Sequence, residues 1–235
     1  MEISDQIEVI SQGKSAPLAP ALSKRVAAIF KNTNNKRRKQ NLPNLTDGPM
    51  FTAVQVSPQK IVCEITEYSR FIAQMRYPEL FPVLKVRPVA ISGAISTAAG
   101  WLLAKRAKHL TQYAGHWEFA PAGGLKTSSL EPDGRINIIK ALFNELSAET
   151  GLQPDVVKAV KPFCISDDDK HHVIDITCIV ESGVGVATIK NVWDMHKKPE
   201  HDDVCFIKTS DLADFVTRNK ISATTKIVAA KLSQP

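Results

Sequence analysis

The chain has 235 residues, 43% of them hydrophobic and 23% charged, with 30 Lys and Arg against 24 Asp and Glu for a formal charge of +6. That size suits one well-packed domain with an appendage, and the composition is ordinary for a globular protein. No apolar run reaches a membrane span of about 20 residues, and Met1-Glu2-Ile3-Ser4-Asp5 lacks a basic-then-apolar signal pattern, so a cytoplasmic protein with no membrane partner is expected. Cys63, Cys164, Cys178 and Cys205 form no CxxC pair and sit in or beside apolar runs, which argues for buried thiols over a zinc site or disulfides.

In chain order, residues 1–18 carry no periodic pattern and read as a frayed terminus. Leu22, Val26 and Phe30 recur every four residues and predict a short amphipathic helix over 19–30. Residues 31–41 read as a loop holding Lys36-Arg37-Arg38-Lys39. No aromatic residue interleaves with those cations, which points away from nucleic acid and towards a solvated basic loop. A mildly basic surface also attracts a polyanionic small molecule. Turn residues from Leu42 to Pro49 lead into strands over 50–56 and 60–66, and a helix is expected over 67–78. Leu84 to Thr97 reads as one or two strands about Gly93, followed by strands over 101–106 and 117–121. A helix over 136–150 stops at Gly151, a residue suited to the position just past a helix end. Strands over 157–165, 173–181, 186–191 and 204–208 follow, then a last helix over 210–217 with Ser210 as N-cap. The Asp167-Asp168-Asp169 and His171-His172 stretch reads as a polar hairpin turn. Mixed strands with intervening helices predict an α/β sandwich over residues 83–235, preceded by a small α+β extension over residues 1–82.

The chemistry concentrates where a strand, Trp117-Glu118-Phe119, enters the Gly123-Gly124 loop and a helix follows. With Leu142 at zero on a wheel of about 100° per residue, Ile138, Ile139 and Leu146 form the buried stripe, Glu149 falls inside it and Glu145 on its edge. A carboxylate on that side must be paired, protonated or bound to a cation. Helix geometry alone leaves a Lys or Arg partner, protonation and a cation all open. Two carboxylates a turn apart beside glycines that admit a ligand to the backbone favour a divalent ion held against phosphate.

Gly124, Glu131, Glu145, Leu146, Glu149, Gly151 and Leu152 together resemble the signature of the Nudix hydrolases: Gly, five residues, Glu, seven residues, then Arg-Glu-aliphatic-any-Glu-Glu-any-Gly-aliphatic. Leu102 to Arg106 and Gly115 to Phe119 are similar to the strands that enter that box, and Glu200 to Asp214 to the acidic loop, strand and helix that follow it. Three departures stand out. Six residues separate Gly124 from Glu131 and twelve separate Glu131 from Asn144, Asn144 replaces the arginine, and Ala148 replaces the first glutamate of the pair. The resemblance implies a Nudix-like α/β/α sandwich with a mixed sheet. It further implies a Mg²⁺- or Mn²⁺-dependent hydrolase cleaving the diphosphate of a nucleoside diphosphate derivative such as a nucleotide sugar or ADP-ribose. Glu145, Glu149 and Glu200 would be catalytic, and Gly123 (by its carbonyl), Glu145, Glu149 and Asp203 would hold metal. Arg106, Glu118 and Gly124 would bind substrate, while Glu131 and Asp133 offer substitute ligands. A homodimer is an assembly found in the family. The alternative is a catalytically silent fold that binds a nucleotide or a protein, for which Ala148 and Asn144 speak.

Overall fold

Leu102 and Ala104 enter one hydrophobic cluster while Leu103 between them enters another, the period-two division of a strand covered on both faces. The computed structural model describes residue 1, residues 7–196 and residues 200–234. In chain order its elements are β1 (Glu8–Lys14), α1 (Pro20–Lys39), β2 (Pro49–Val56), β3 (Lys60–Glu67), α2 (Tyr68–Arg76), α3 (Phe81–Leu84), β4 (Val89–Thr97) and β5 (Gly100–Arg106). These are followed by β6 (Trp117–Phe119), β7 (Ala122–Gly124), α4 (Ile138–Glu145), β8 (Val157–Asp168), β9 (Val173–Ser182), α5 (Val186–Met195), β10 (His201–Ile207), α6 (Thr209–Arg218) and α7 (Ala223–Leu232).

A seven-stranded sheet runs β10-β5-β4-β9-β8, with β6 beside β5 and β7 beside β4. It is mixed, because β4 and β9 are parallel and the other pairs antiparallel. Leu142 of α4 with Ile189 and Trp193 of α5 packs on one face, and Leu212 of α6 with Val228 of α7 on the other. The expected α/β/α sandwich is there. A three-stranded sheet, β1-β3-β2, sends Val9, Phe51, Ile61 and Cys63 into the same cluster as α4, so residues 1–82 and 83–235 share a core. Among the described residues no helix is long and apolar enough to cross a membrane. The four cysteines are free, and burial raises the pKa of each thiol.

Several expectations are corrected. Residues 8–14 form β1, paired in parallel with β3 and burying Val9; a partner fifty residues away leaves no local pattern. The first helix does not stop at residue 30. It continues through the expected loop to Lys39, so the cations occupy its last turn, where the helix dipole favours them. Of those cations Arg37 is buried: its Nε donates to the Pro43 carbonyl at 2.6 Å, and its Nη atoms lie 3.4 and 3.5 Å from the His109 carbonyl. Residues 186–191 lie in α5 rather than a strand, because Ile189 and Trp193, one turn apart, both bury against the sheet and outweigh the β-branched composition. Residues 84–97 divide into the end of α3 and a single strand, β4, that passes through Gly93. Lys208 rather than Ser210 precedes α6, and Ser210 bonds Asp211 instead. The unexpected α7 begins at Ser222, whose Oγ accepts the Thr225 N–H at 3.4 Å.

Arg37 therefore ties the end of α1 to the segment after β5, whereas Lys36 is exposed. Arg37→Ala should cost about 1.5–3 kcal/mol, the range for hydrogen bonds to a charged donor. Lys36→Ala should stay within about 0.5 kcal/mol. Urea denaturation of the two variants checks the difference.

Candidate active site

The hairpin partners β4 and β5 pair only at Ser96–Trp101 and Thr97–Gly100. Beyond that they part, and residues 117–124 fill the gap, β6 pairing with β5 and β7 with β4. Pro121 has no N–H for a ladder, but its carbonyl accepts the Gly93 N–H at 2.8 Å. A Cβ on Gly93 would stand 3.0 Å from Pro121 Cδ and 3.2 Å from both Leu142 and Val180, so glycine lets β4, α4 and this segment close together. The pairing sets Glu118 opposite Ala104 and Gly123 opposite Ile91.

Behind the glycines runs α4, capped by the Asn137 Oδ1, which accepts the Lys140 N–H at 2.9 Å. Its continuation, Leu146–Thr150, widens into a π turn and stops at Gly151 with φ +76°. Such turns occur often at functional sites. Glu145 and Glu149 are 7% and 4% exposed, on the buried side the wheel assigns them. Both face the hairpin. A Cβ at Gly123 would lie 2.7 Å from Glu145 Cδ and Oε2, and Glu149 Oε2 accepts the Ala122 N–H at 3.0 Å.

The two carboxylates are answered differently. Glu145 Oε1 lies 2.6 Å from Lys126 Nζ, the kind of lysine partner that helix geometry leaves open. Glu149 has no lysine or arginine at ion-pair distance among the described residues; His201 Nδ1 is 4.0 Å away. Glu118 Oε1 takes both Arg106 Nη1 at 2.6 Å and His201 Nε2 at 3.1 Å. The His201 Nδ1 is buried and has no hydrogen-bond partner among the described residues. Burial and then the charges of Glu118 and Glu200 raise the Glu149 pKa well above 4.5; the Ala122 N–H works against them and Glu145 adds to them. Burial opposes the charge on Arg106, but Glu118, Glu200 and Glu149 hold its pKa above the ordinary value.

Arg106 and Glu118 line a recess of about 320 Å³ that reaches between the two sheets, and Glu145 and Glu149 meet its wall at Gly123 and Ala122. Tyr68 and Phe71 of α2 and Tyr113 give it aromatic walls, and Arg106, Glu118, Gly123, Gly124 and Glu200 line it. Asp175 of β9 also lines it, accepting hydrogen bonds from Ser92 at 2.7 Å and Thr177 at 3.1 Å. Burial pushes the Asp175 pKa up to about 6; Ser92 and Thr177 counter it, and the charge of Glu118 adds to it.

Of the residues nominated from the sequence, Arg106, Glu118, Gly123, Gly124, Glu145, Glu149 and Glu200 come together here. Asp203 does not. It is exposed on β10 opposite Lys105, and its Oδ1 accepts the N–H of Val204. Glu131 and Asp133 sit in the lengthened loop, which is docked on β1 by Ser11 N–H to Gly134 O and Ile136 N–H to Val9 O, both 2.8 Å. There Asp133 pairs with Arg135 at 2.6 Å. His171 and His172 occupy the β8–β9 turn, as expected, His171 bonded to Asp168 at 2.9 Å and His172 stacked on Phe81. Lys126, His201 and Asp175 went unrecognised. Lys126 lies two residues past Gly124 and His201 beside Glu200, but single residues of these types carry no periodic signal.

The oxygens that could meet a divalent ion here are those of Glu149, the Glu145 oxygen not taken by Lys126 and the backbone at Gly123, two carboxylates in all. Among the described residues no group of three or more His, Cys, Asp or Glu is gathered to hold a metal.

Asp175 gives a pH signature. Its native pKa lies above the ordinary 3.8, so the folded state binds the proton more tightly and stability falls as pH rises, the loss being complete above the native value. Between about pH 4.5 and about pH 7 the wild type should lose on the order of 2 kcal/mol more than Asp175→Asn does. Urea midpoints of both proteins at the two pH values measure it.

No protein-family model matches the chain, and no curated protein matches it. Solved structures similar to it include a Nudix hydrolase from Nitrosomonas europaea, 15% identical, covering 62% of this chain and 86% of the other with a TM-score of 0.41. An ADP-ribose pyrophosphatase from Streptococcus suis is 16% identical, covering 64% and 94% with a TM-score of 0.38. A bifunctional NMN adenylyltransferase/ADP ribose pyrophosphatase from Francisella tularensis is 14% identical, covering 70% and 47% with a TM-score of 0.46. Likenesses this distant leave the function to be read from the site.

Proposed function

We propose that the chain is a Nudix-type hydrolase that cleaves the diphosphate linkage of a nucleoside diphosphate derivative, of the nucleotide-sugar or ADP-ribose type, with a divalent cation, Mg²⁺ or Mn²⁺. The observation that carries the reading is Glu149: a buried carboxylate with no lysine or arginine at ion-pair distance among the described residues, crowded by other carboxylates, and bonded to Ala122 in the wall of an aromatic-lined recess. A buried charge so placed calls for a proton or a cation.

Glu149, Glu145 Oε2 and, as the resemblance implies, the Gly123 carbonyl would hold the ion. Such an ion activates water and neutralises charge on the leaving phosphate. Glu200, which lines the recess, would accept the proton of the attacking water. Arg106, clamped between Glu118 and the Gln112 carbonyl at 3.0 Å, keeps a fixed positive charge in the wall. The rings of Tyr68, Phe71 and Tyr113 offer flat apolar surface to a base or sugar. Gly123 keeps the backbone side of the site free of a Cβ. The same reading makes the partner a small molecule rather than nucleic acid and the location cytoplasmic.

A second reading, a binding module without turnover, is favoured by the Lys126–Glu145 pair and by Ala148, which is exposed and supplies no carboxylate. A panel of diphosphate compounds with Mg²⁺ or Mn²⁺ separates the two. On the hydrolase reading the wild type turns over, and Glu149→Gln lowers kcat/KM by about 100-fold or more. A silent wild type in which Ala148→Glu creates turnover would overturn it in favour of the binding module.

A further inference from the structure

We infer that Lys126 is the resident counter-ion of this site: its ammonium holds one oxygen of Glu145 and competes electrostatically with a divalent ion on the other. The inference rests on the hydrolase reading above. Lys126 Nζ stands 2.6 Å from Glu145 Oε1, but the two side chains differ sharply in exposure, 62% for the lysine and 9% for the glutamate. The acid is fixed; the base can leave. Leu125, 2% exposed with its N–H on the Val89 carbonyl at 2.8 Å, anchors the backbone just before Lys126. The long stem therefore swings from a set origin two residues beyond the glycines.

Charge counting gives the same result. Glu118 is paired with Arg106 and Glu145 with Lys126, and among the described residues neither Glu149 nor Glu200 has a lysine or arginine at ion-pair distance. Ala148 removes one carboxylate from the box that the resemblance describes, and the helix end thereby becomes a site that a single ammonium half neutralises. A divalent ion on Glu145 Oε2 and Glu149 would face that ammonium as a like charge across one carboxylate. That repulsion favours a lysine rotated outwards, as its exposure permits. Turned out, it lies beside the hairpin as a mobile point charge suited to a phosphate oxygen.

A flexible, exposed lysine competes only modestly, so its removal should tighten divalent binding by about 3- to 10-fold. Mn²⁺ titration by calorimetry on the full chain tests this in the wild type, Lys126→Met, Lys126→Arg and Glu149→Gln. The expected result is tighter Mn²⁺ binding in Lys126→Met, wild-type affinity in Lys126→Arg and loss of binding in Glu149→Gln. Equal or weaker affinity in Lys126→Met overturns the inference. If Glu149→Gln still abolishes binding in that case, the metal site stands without a competing lysine. Tighter binding in Lys126→Met with no turnover by any variant removes the hydrolase reading and keeps the counter-ion. Absence of Mn²⁺ binding in every protein removes both.

Discussion

Four carboxylates, Glu118, Glu145, Glu149 and Glu200, crowd one end of a helix and a two-glycine hairpin, and charge gathered away from water must be answered locally. The rest of the site is arranged around how each is met. Arg106 and His201 share one oxygen of Glu118, Lys126 takes one oxygen of Glu145, and a backbone N–H reaches Glu149. Glu149 has no lysine or arginine at ion-pair distance among the described residues, and burial followed by the charges of Glu118 and Glu200 raises its pKa.

The scaffold makes that crowding possible by separating two neighbouring strands. Were β4 and β5 paired along their whole length, residues 117–124 would have no gap to enter, and neither Glu118 nor Gly123 would face α4. Gly93 and Gly123 serve the same end from two sides, one admitting Pro121 and the other the Glu145 carboxylate. The N-terminal sheet contributes through packing: it shares a core with α4, and α2 behind it lends Tyr68 and Phe71 to the recess.

Much of this was legible in the sequence. The strands of the sandwich, the helix carrying Glu145 and Glu149, and the placement of both on its buried side follow from local periodicity, since the two carboxylates share a stripe with Ile138, Leu142 and Leu146. What local pattern does not carry is a partner distant in the chain. The strand at residues 8–14 needs β3, the helix at 186–195 needs a sheet to cover, and the lengthened loop at 131–136 turns out to dock on β1. Lys126 and His201 were missed for the same reason, because a single charged residue acquires a role only when the fold brings its counterpart near. Asp203 shows the converse. It sits in the acidic cluster with Glu200, but β10 is an edge strand paired opposite β5, and the side chain stays with its own backbone.

The parallel pairing of β4 with β9 has a consequence for how the molecule comes into being. Ala90 lies opposite Asp175 and Ser96 opposite Glu181, so the recess acquires its Asp175 wall only after a loop of most of a hundred residues has closed, a step whose entropy cost must be met before the contacts return it. A ribosome releasing the chain from its N-terminus would expose the glycine hairpin and its helix well before β9 emerges. The recess is therefore complete only late in synthesis, and a nascent chain cut short of residue 173 would carry the acidic helix without the wall that shapes it.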